Sequence, residues 1–203
     1  MKSHNSGLFV LAVIVGLSLA AAGQATAQIT VPAGNTLSLS LFGDGFQDYQ
    51  SAPDPNNAGA FVWSFVAPDA RLFTDMTETV QVGNHFAGPT WQSNADGSSV
   101  VGLRLSSLAS PNPNSIPQLL LIASSHTGVG VFSGVSYIQR LDTVGGNAPS
   151  TAPTGLGQLS NVPYTATYRF FTAAAVPEPG CLALLATSGL FVAGMFARRR
   201  HAR

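Results

Sequence analysis

Through the middle of the chain, side chains of one character recur at every second position. Leu37, Leu39 and Leu41 are separated by Ser38 and Ser40, and the large aromatics Phe61, Trp63 and Phe65 repeat the same spacing. A period of two places successive side chains on opposite faces of an extended strand. Further strand-like runs are Thr77 to Val82, Ser99 to Leu105, Gln118 to Ala123, Gly134 to Leu141 and Thr165 to Phe171. Between them lie breakers such as Pro53-Asp54-Pro55-Asn56-Asn57 and Pro111-Asn112-Pro113-Asn114, which stop strands and shape turns. Asp96-Gly97, between Trp91 and Val100, predicts a hairpin turn. The long Gly145 to Pro163 stretch reads as a mobile loop. No helical period and no internal repeat appears in this region. The expectation is an all-β fold, an antiparallel β-sandwich or barrel-like domain of seven or eight short strands.

Two apolar segments flank this region and break its pattern. At the start, Lys2 precedes an apolar stretch from Leu8 to Ala22, and Ala25-Thr26-Ala27 follows. A basic residue, a short apolar core and a small-residue site make residues 1–27 a secretory signal peptide, cut before Gln28. At the other end, Val176-Pro177-Glu178-Pro179-Gly180 leads into an apolar run, residues 181–197, closed by Arg198, Arg199 and Arg200. That run spans about 25 Å as a helix, near the lower limit for crossing a bilayer. The arginines would stay on the cytoplasmic side and leave the body across the membrane. Residues 176–203 resemble the PEP-CTERM sorting signals in all three parts: Pro177-Glu178-Pro179, the short helix and the arginine cluster. The resemblance implies cleavage by an exosortase-type membrane protease near the Pro-Glu-Pro motif, and release or transfer to the cell surface or extracellular matrix. The two prolines keep that backbone extended and accessible.

Removing both ends leaves residues 28–175, enough for one domain with a core of its own. In that body Arg71, Arg104, Arg140 and Arg169 face eight acidic residues, a net charge of about −4 that the formal neutrality of the whole chain conceals. With no basic cluster to neutralise phosphates, nucleic acid is not an expected partner. The single cysteine, Cys181, falls in the apolar run. The body therefore has no disulfide, cysteine nucleophile or cysteine-ligated metal.

The body also carries an ordered series of blocks. They include Gly45-Phe46-Gln47-Asp48-Tyr49, Ala67-Pro68-Asp69-Ala70-Arg71-Leu72, Gly83-Asn84-His85-Phe86-Ala87-Gly88-Pro89-Thr90-Trp91, Tyr137-Ile138-Gln139-Arg140 and Gly145-Gly146-Asn147-Ala148-Pro149. From about Leu37 to Phe171 these resemble the secreted family known as domain of unknown function 3455, which implies a fold-sized unit and no established activity. Many members of that family carry one cysteine soon after the Gln-x-Tyr block and another after the Gly-Gly-x-Ala-Pro block. Here the corresponding neighbourhoods, around Ser51 and Pro153, have none, as a chain that dispenses with a disulfide would. Gln118 stands where a tryptophan commonly follows the Ile-Pro pair.

Candidate chemistry is sparse. His85 and His126 are the body's only histidines, and imidazole suits a general base or a metal ligand. Asp96 and Arg140 would complete such a site, although Arg140 could equally be a buried charge paired with Asp96 or Asp142. No His-Glu-x-x-His pattern, no Gly-x-Ser-x-Gly elbow and no dinucleotide fingerprint is present, so no cofactor is implied. Asp44, Asp48 and Asp54 could offer oxygen ligands to calcium, but turn-forming residues give the same composition without an ion. Trp91 and Tyr49, with Trp63 and Tyr137, could stack on extracellular polysaccharide, whereas large aromatics at strand spacing more often fill a core. The sequence favours a non-enzymatic, exported structural or binding domain. Its rivals are a secreted enzyme built on His85 and His126 and a carbohydrate-binding module.

Overall fold

The structure, a computed structural model, describes residues 29–175. The expected signal cleavage at Ala25, Ala27 and Gln28, the sorting motif Pro177-Glu178-Pro179, the helix over residues 181–197 and Arg198 to Arg200 lie outside the described residues. Eight strands follow one another: β1 (Asn35–Pro53), β2 (Phe61–Phe73), β3 (Gln81–Phe86), β4 (Thr90–Ser93), β5 (Ser99–Leu108), β6 (Gln118–Thr127), β7 (Val135–Gly145) and β8 (Leu159–Ala173). Each pairs antiparallel with the next, and β8 returns to pair with β1 from Asn35↔Ala173 to Gln50↔Leu159. The sheet therefore closes into an up-and-down barrel, leaving no edge strand with unpaired backbone groups.

Local chemistry sets the strand ends. The Asp75 carboxylate accepts from the Thr77 backbone N–H and hydroxyl. That local turn competes with strand pairing over Thr77 to Val80, so the strand expected from Thr77 begins instead at Gln81. Asp96 does the same for the β4–β5 hairpin: its Oδ1 accepts from Ser98 N at 2.9 Å, while Gly97 takes a positive φ of 70°. The four-residue β4, too short to show a period, was not among the expected strands.

The Gly145 to Pro163 segment is a correction to the expectation of a mobile loop. Gly145 ends β7, Leu159 opens β8, and the residues between are pinned to the barrel. Ser51 Oγ donates to Gly155 O at 2.6 Å and accepts from Gln158 N at 2.8 Å, while Trp63 Nε1 donates to Thr151 O at 2.9 Å. Trp63 thus stands half-buried against this segment rather than in the core. Ser51, one of the two neighbourhoods singled out by their lack of cysteine, is thus bonded to Gly155 and Gln158, which follow shortly after Pro153, the other.

Inward-facing residues alternate along the strands between the register shifts that interrupt the sheet,. Leu41, Leu72, Trp91, Val100, Leu121, Ile138, Tyr168 and Phe170 meet in one apolar core. Glycines on the inner wall make room for these rings. A Cβ added at Gly43 would lie 2.6 Å from Tyr168 Cε2, and one at Gly102 would lie 3.0 Å from both Trp91 Cζ3 and Leu121 Cδ2. At the opening of β1 the alternation is misleading, because a register shift between Leu37 and Leu39 leaves Leu37 54 % exposed while Leu41 is buried.

The up-and-down order gives the barrel two unlike ends. The chain enters at Asn35 and leaves at Ala173 side by side, at the end that also carries the β2–β3, β4–β5 and β6–β7 connections. The opposite end carries the connections β1–β2, β3–β4, β5–β6 and β7–β8.

Candidate functional site

At the end opposite the chain ends, Gly88 and Pro89 of the β3–β4 connection and Ile116 and Pro117 of the β5–β6 connection border a cavity of about 300 Å³ that runs down into the barrel, at the small end of the range for ligand pockets. Its wall is mainly apolar and aromatic, with Tyr49, Phe65, His85, Trp91, Leu119, Leu121 and Tyr168 among the lining residues. The polar groups among them are few: Gln47, Arg104 and Arg140, with the tyrosine hydroxyls and His85. No aspartate or glutamate lines it.

His85 is held deep in the wall. It pairs across the sheet with Trp91, and the two rings stack at 4.3 Å between centroids and 9° between planes. Tyr168 closes on both from the side, at 5.1 Å from His85 and 5.5 Å from Trp91. His85 Nδ1 lies 2.9 Å from the Thr90 carbonyl and therefore donates, which leaves Nε2 as the acceptor. Burial drives its pKa down to about 3, against a smaller upward pull from the Thr90 hydrogen bond, and the positive charge of Arg140 adds to the depression. His85 is neutral through the physiological range. A base that weak takes up few protons, whereas a neutral flat ring suits a cavity wall.

The inner wall also holds two buried hydrogen-bond donors with nothing to bind. Gln47 is 3 % exposed and Trp91 1 % exposed, yet neither Gln47 Nε2 nor Trp91 Nε1 has a hydrogen-bond partner. Gln47 lies near enough to the Tyr164 hydroxyl to favour its ionised form, but its amide makes no bond of acceptable geometry there. An orphaned buried donor costs about 1–3 kcal/mol, so such groups call for an explanation. Tyr164 and Tyr168 by contrast satisfy each other, 3.0 Å apart, and Tyr49 donates to Gly146 O at 2.7 Å. Burial raises the pKa of all three phenols, and all three sense the Arg140 charge, which opposes the rise. They are protonated at neutral pH.

Arg140 projects inward from β7, where its cross-strand partners are Leu119 and Tyr168. Nε and Nη2 donate to Pro117 O at 3.2 and 2.9 Å. The alternative of an ion pair with Asp96 or Asp142 is corrected by these contacts: among the described residues the ion pair is Arg71 to Asp44 at 3.3 Å. Asp96 lies at the other end of the barrel. There its carboxylate accepts from Ser98 N, Ser98 Oγ and Val131 N, and these bonds hold its pKa at about 2.

His85 and His126 are not brought together. The register runs from Gly45 through Ala70, His85, Trp91 and Val100 to His126, so three strand spacings, about 14 Å round the wall, separate the two imidazoles. Because barrel strands tilt, this row ends close to the chain termini. There His126 is exposed and its Nε2 contacts Val135 O at 2.7 Å. The aromatic candidates are likewise not an exposed platform: Trp91 and Tyr49 are both buried, and Trp63 faces the 146–158 segment. Asp44 and Asp48 lie on the outer face of β1, bonded to Arg71 and Asn161, and Asp54 caps the β1–β2 turn through Asn56 N. Among the described residues no three His, Cys, Asp or Glu side chains converge as a metal site would require.

Of the residues marked in the sequence, His85, Arg140, Trp91 and Tyr49 therefore share the cavity, and Asp96 and His126 do not. Gln47, Arg104 and Tyr168 were not singled out. Gln47 lies in the Gly45 to Tyr49 block at an inward-alternating position, the one signal that could have pointed to it. A family model described as "Protein of unknown function (DUF3455)" matches residues 32–172. No curated protein and no solved structure matches the chain.

Proposed function

The chain belongs to the DUF3455 family of proteins of unknown function, and from that premise we propose that it is an exported, non-enzymatic binding protein whose barrel lumen holds a small molecule. The observation that carries this reading is the cavity itself, open at one end, aromatic-walled, and lined by two arginines that pair with no carboxylate among the described residues.

The layout suits delivery to a surface. Asn35 and Ala173 pair at the end away from the mouth, so a tether at either end of the body would turn the opening outward. The signal peptide, the Pro177-Glu178-Pro179 motif, the apolar run and the arginines Arg198 to Arg200 supply that delivery, with signal peptidase and an exosortase-like protease as processing partners. The same cavity offers an enzyme little: its histidine is a very weak base, and the second histidine stands on the far rim.

Native mass spectrometry of the protein recovered from cells tests the binding function. The expected spectrum shows, besides the processed polypeptide, a species heavier by one small molecule that is lost on denaturation; a bare polypeptide that also gains no thermal stability from any small-molecule extract would overturn it. Deleting residues 176–203 is expected to move the protein out of the envelope fraction. Unchanged fractionation would refute the delivery reading.

A further inference from the structure

We propose that the lumen is selective for an apolar organic anion, a small carboxylic acid whose carboxylate meets Arg104 and Arg140 at the mouth while its hydrocarbon body lies against Trp91, Leu121 and Tyr168. This deepens the binding reading above and rests on it.

Three features point the same way. The first is charge. The body carries an excess of acid, yet two of its four arginines line this one cavity and none of its eight acidic residues does. Neither arginine is paired with a carboxylate among the described residues. Two like charges converging on one opening repel each other, an arrangement that a bound anion relieves. The fork of a guanidinium also matches a carboxylate in shape; Arg140 donates Nε and Nη2 to Pro117 O and lies within hydrogen-bond reach of the Tyr168 hydroxyl.

The second feature is the sign of the polar groups that Arg104 and Arg140 bring to the cavity. Their N–H groups are all donors. A ligand that satisfies them must bring acceptor atoms, as an oxyanion does and an amine does not. The third is the rest of the wall, where Ile116, Leu119, Leu121, Phe65 and the His85–Trp91 stack offer no charge. A highly hydrated inorganic anion gains nothing from such a surface, whereas a hydrocarbon body does. A volume of about 300 Å³ limits that body to a single ring system or a short chain.

The test is isothermal titration of the full chain in lipid nanodiscs, with empty nanodiscs subtracted, against two acid and alcohol pairs: 2-naphthoate with 2-naphthalenemethanol, and octanoate with octanol. At least one acid is expected to bind about ten-fold or more tightly than its alcohol, the effect of a charge-assisted hydrogen bond. Raising the salt should weaken the acid and leave the alcohol unchanged. Arg104→Gln and Arg140→Gln, each checked for unchanged circular dichroism, are expected to erase most of the preference. Arg140→Lys, which keeps the charge but loses the fork, should retain part of it. Equal affinity for acid and alcohol in the wild type would overturn the anion assignment and leave the binding function standing. A failure of all four probes, with no additional mass in the native spectrum, would overturn both. If the glutamine variants fail to fold, the salt dependence of the wild type decides: binding of the acid that ignores salt overturns the proposal.

Discussion

The two ends of this barrel are made of the same eight strands and yet are put to opposite uses. At the end where the chain enters and leaves, the β6–β7 connection folds inward and sets Phe132 against Phe170, ring centroids 4.9 Å apart. That plug is latched: Val131 N donates to Asp96 and Phe132 N to Ser98 Oγ, and Ser98 in turn donates to Asp96. Every polar atom of the latch has a partner. At the mouth, buried donors go unpaired, two arginines lack carboxylates, and the wall leaves space unfilled. Polar satisfaction is complete in the latch and incomplete towards the mouth, so the two ends differ in how fully their own groups stabilise them.

Substitutions at the plugged end should therefore cost far more than those at the mouth. Phe170→Ala, which removes a fully buried ring in contact with Trp91 and Phe132, is expected to destabilise by about 3–5 kcal/mol in urea unfolding. A loss below about 1 kcal/mol would mean that the plug is not the anchor of the fold.

Acid should find the next weakness. The His85 pKa of about 3 in the folded state lies below the ordinary 6.5, so the unfolded chain binds the proton more readily. The stability that neutral His85 allows is complete above pH 6.5 and drains away as the pH falls from 6.5 towards 3, at up to about 1.4 kcal/mol per pH unit. Urea midpoints followed across that window should flatten in His85→Gln, and an unaltered slope would assign the acid sensitivity to other groups. Asp96 acts in the same direction at lower pH: its depressed pKa stabilises the folded state above about pH 4 and ceases to do so as the pH approaches 2,.

Closer to the mouth the effects shrink. Ser51→Ala removes both the bond to Gly155 O and the acceptor for Gln158 N, and is expected to cost about 1–3 kcal/mol. Hydrogen exchange should show the loss concentrated in residues 146–158, while uniform loss would make Ser51 part of the global core. The smallest change is expected for Arg104→Gln, within about 0.5 kcal/mol of the parent and in the stabilising direction if the two arginines repel. A destabilisation of several kcal/mol would make Arg104 structural and remove the contrast between the ends.

What could be read in advance differs by residue. The Asp96-Gly97 hairpin was legible because its chemistry is local: a carboxylate and a residue free to take positive φ suffice to form it,. The class of fold was legible for a similar reason, since strand alternation and turn residues act over a few positions. The alternation of Leu37, Leu39 and Leu41 revealed a strand but not its burial, which a register shift altered. The residues near Gly145 did not themselves announce that the segment after it would be fastened to Ser51, about a hundred positions earlier; the resemblance to a family with cysteines in both neighbourhoods was the one pointer, and Trp63 gave no sign that its indole would serve that segment rather than the core.

By itself, then, the sequence determined that the body is built from antiparallel strands and owes nothing to disulfides, because period, turn chemistry and composition are properties of neighbouring residues. Only the tertiary structure decided that the sheet would close, with β8 against β1, and that Gln47, His85, Trp91, Arg104, Arg140 and Tyr168 would face one lumen while His126 and Asp96 went to the other rim. Closure and strand tilt relate residues far apart in the chain, and the register that fixes them is a sum over the whole wall that no local stretch contains.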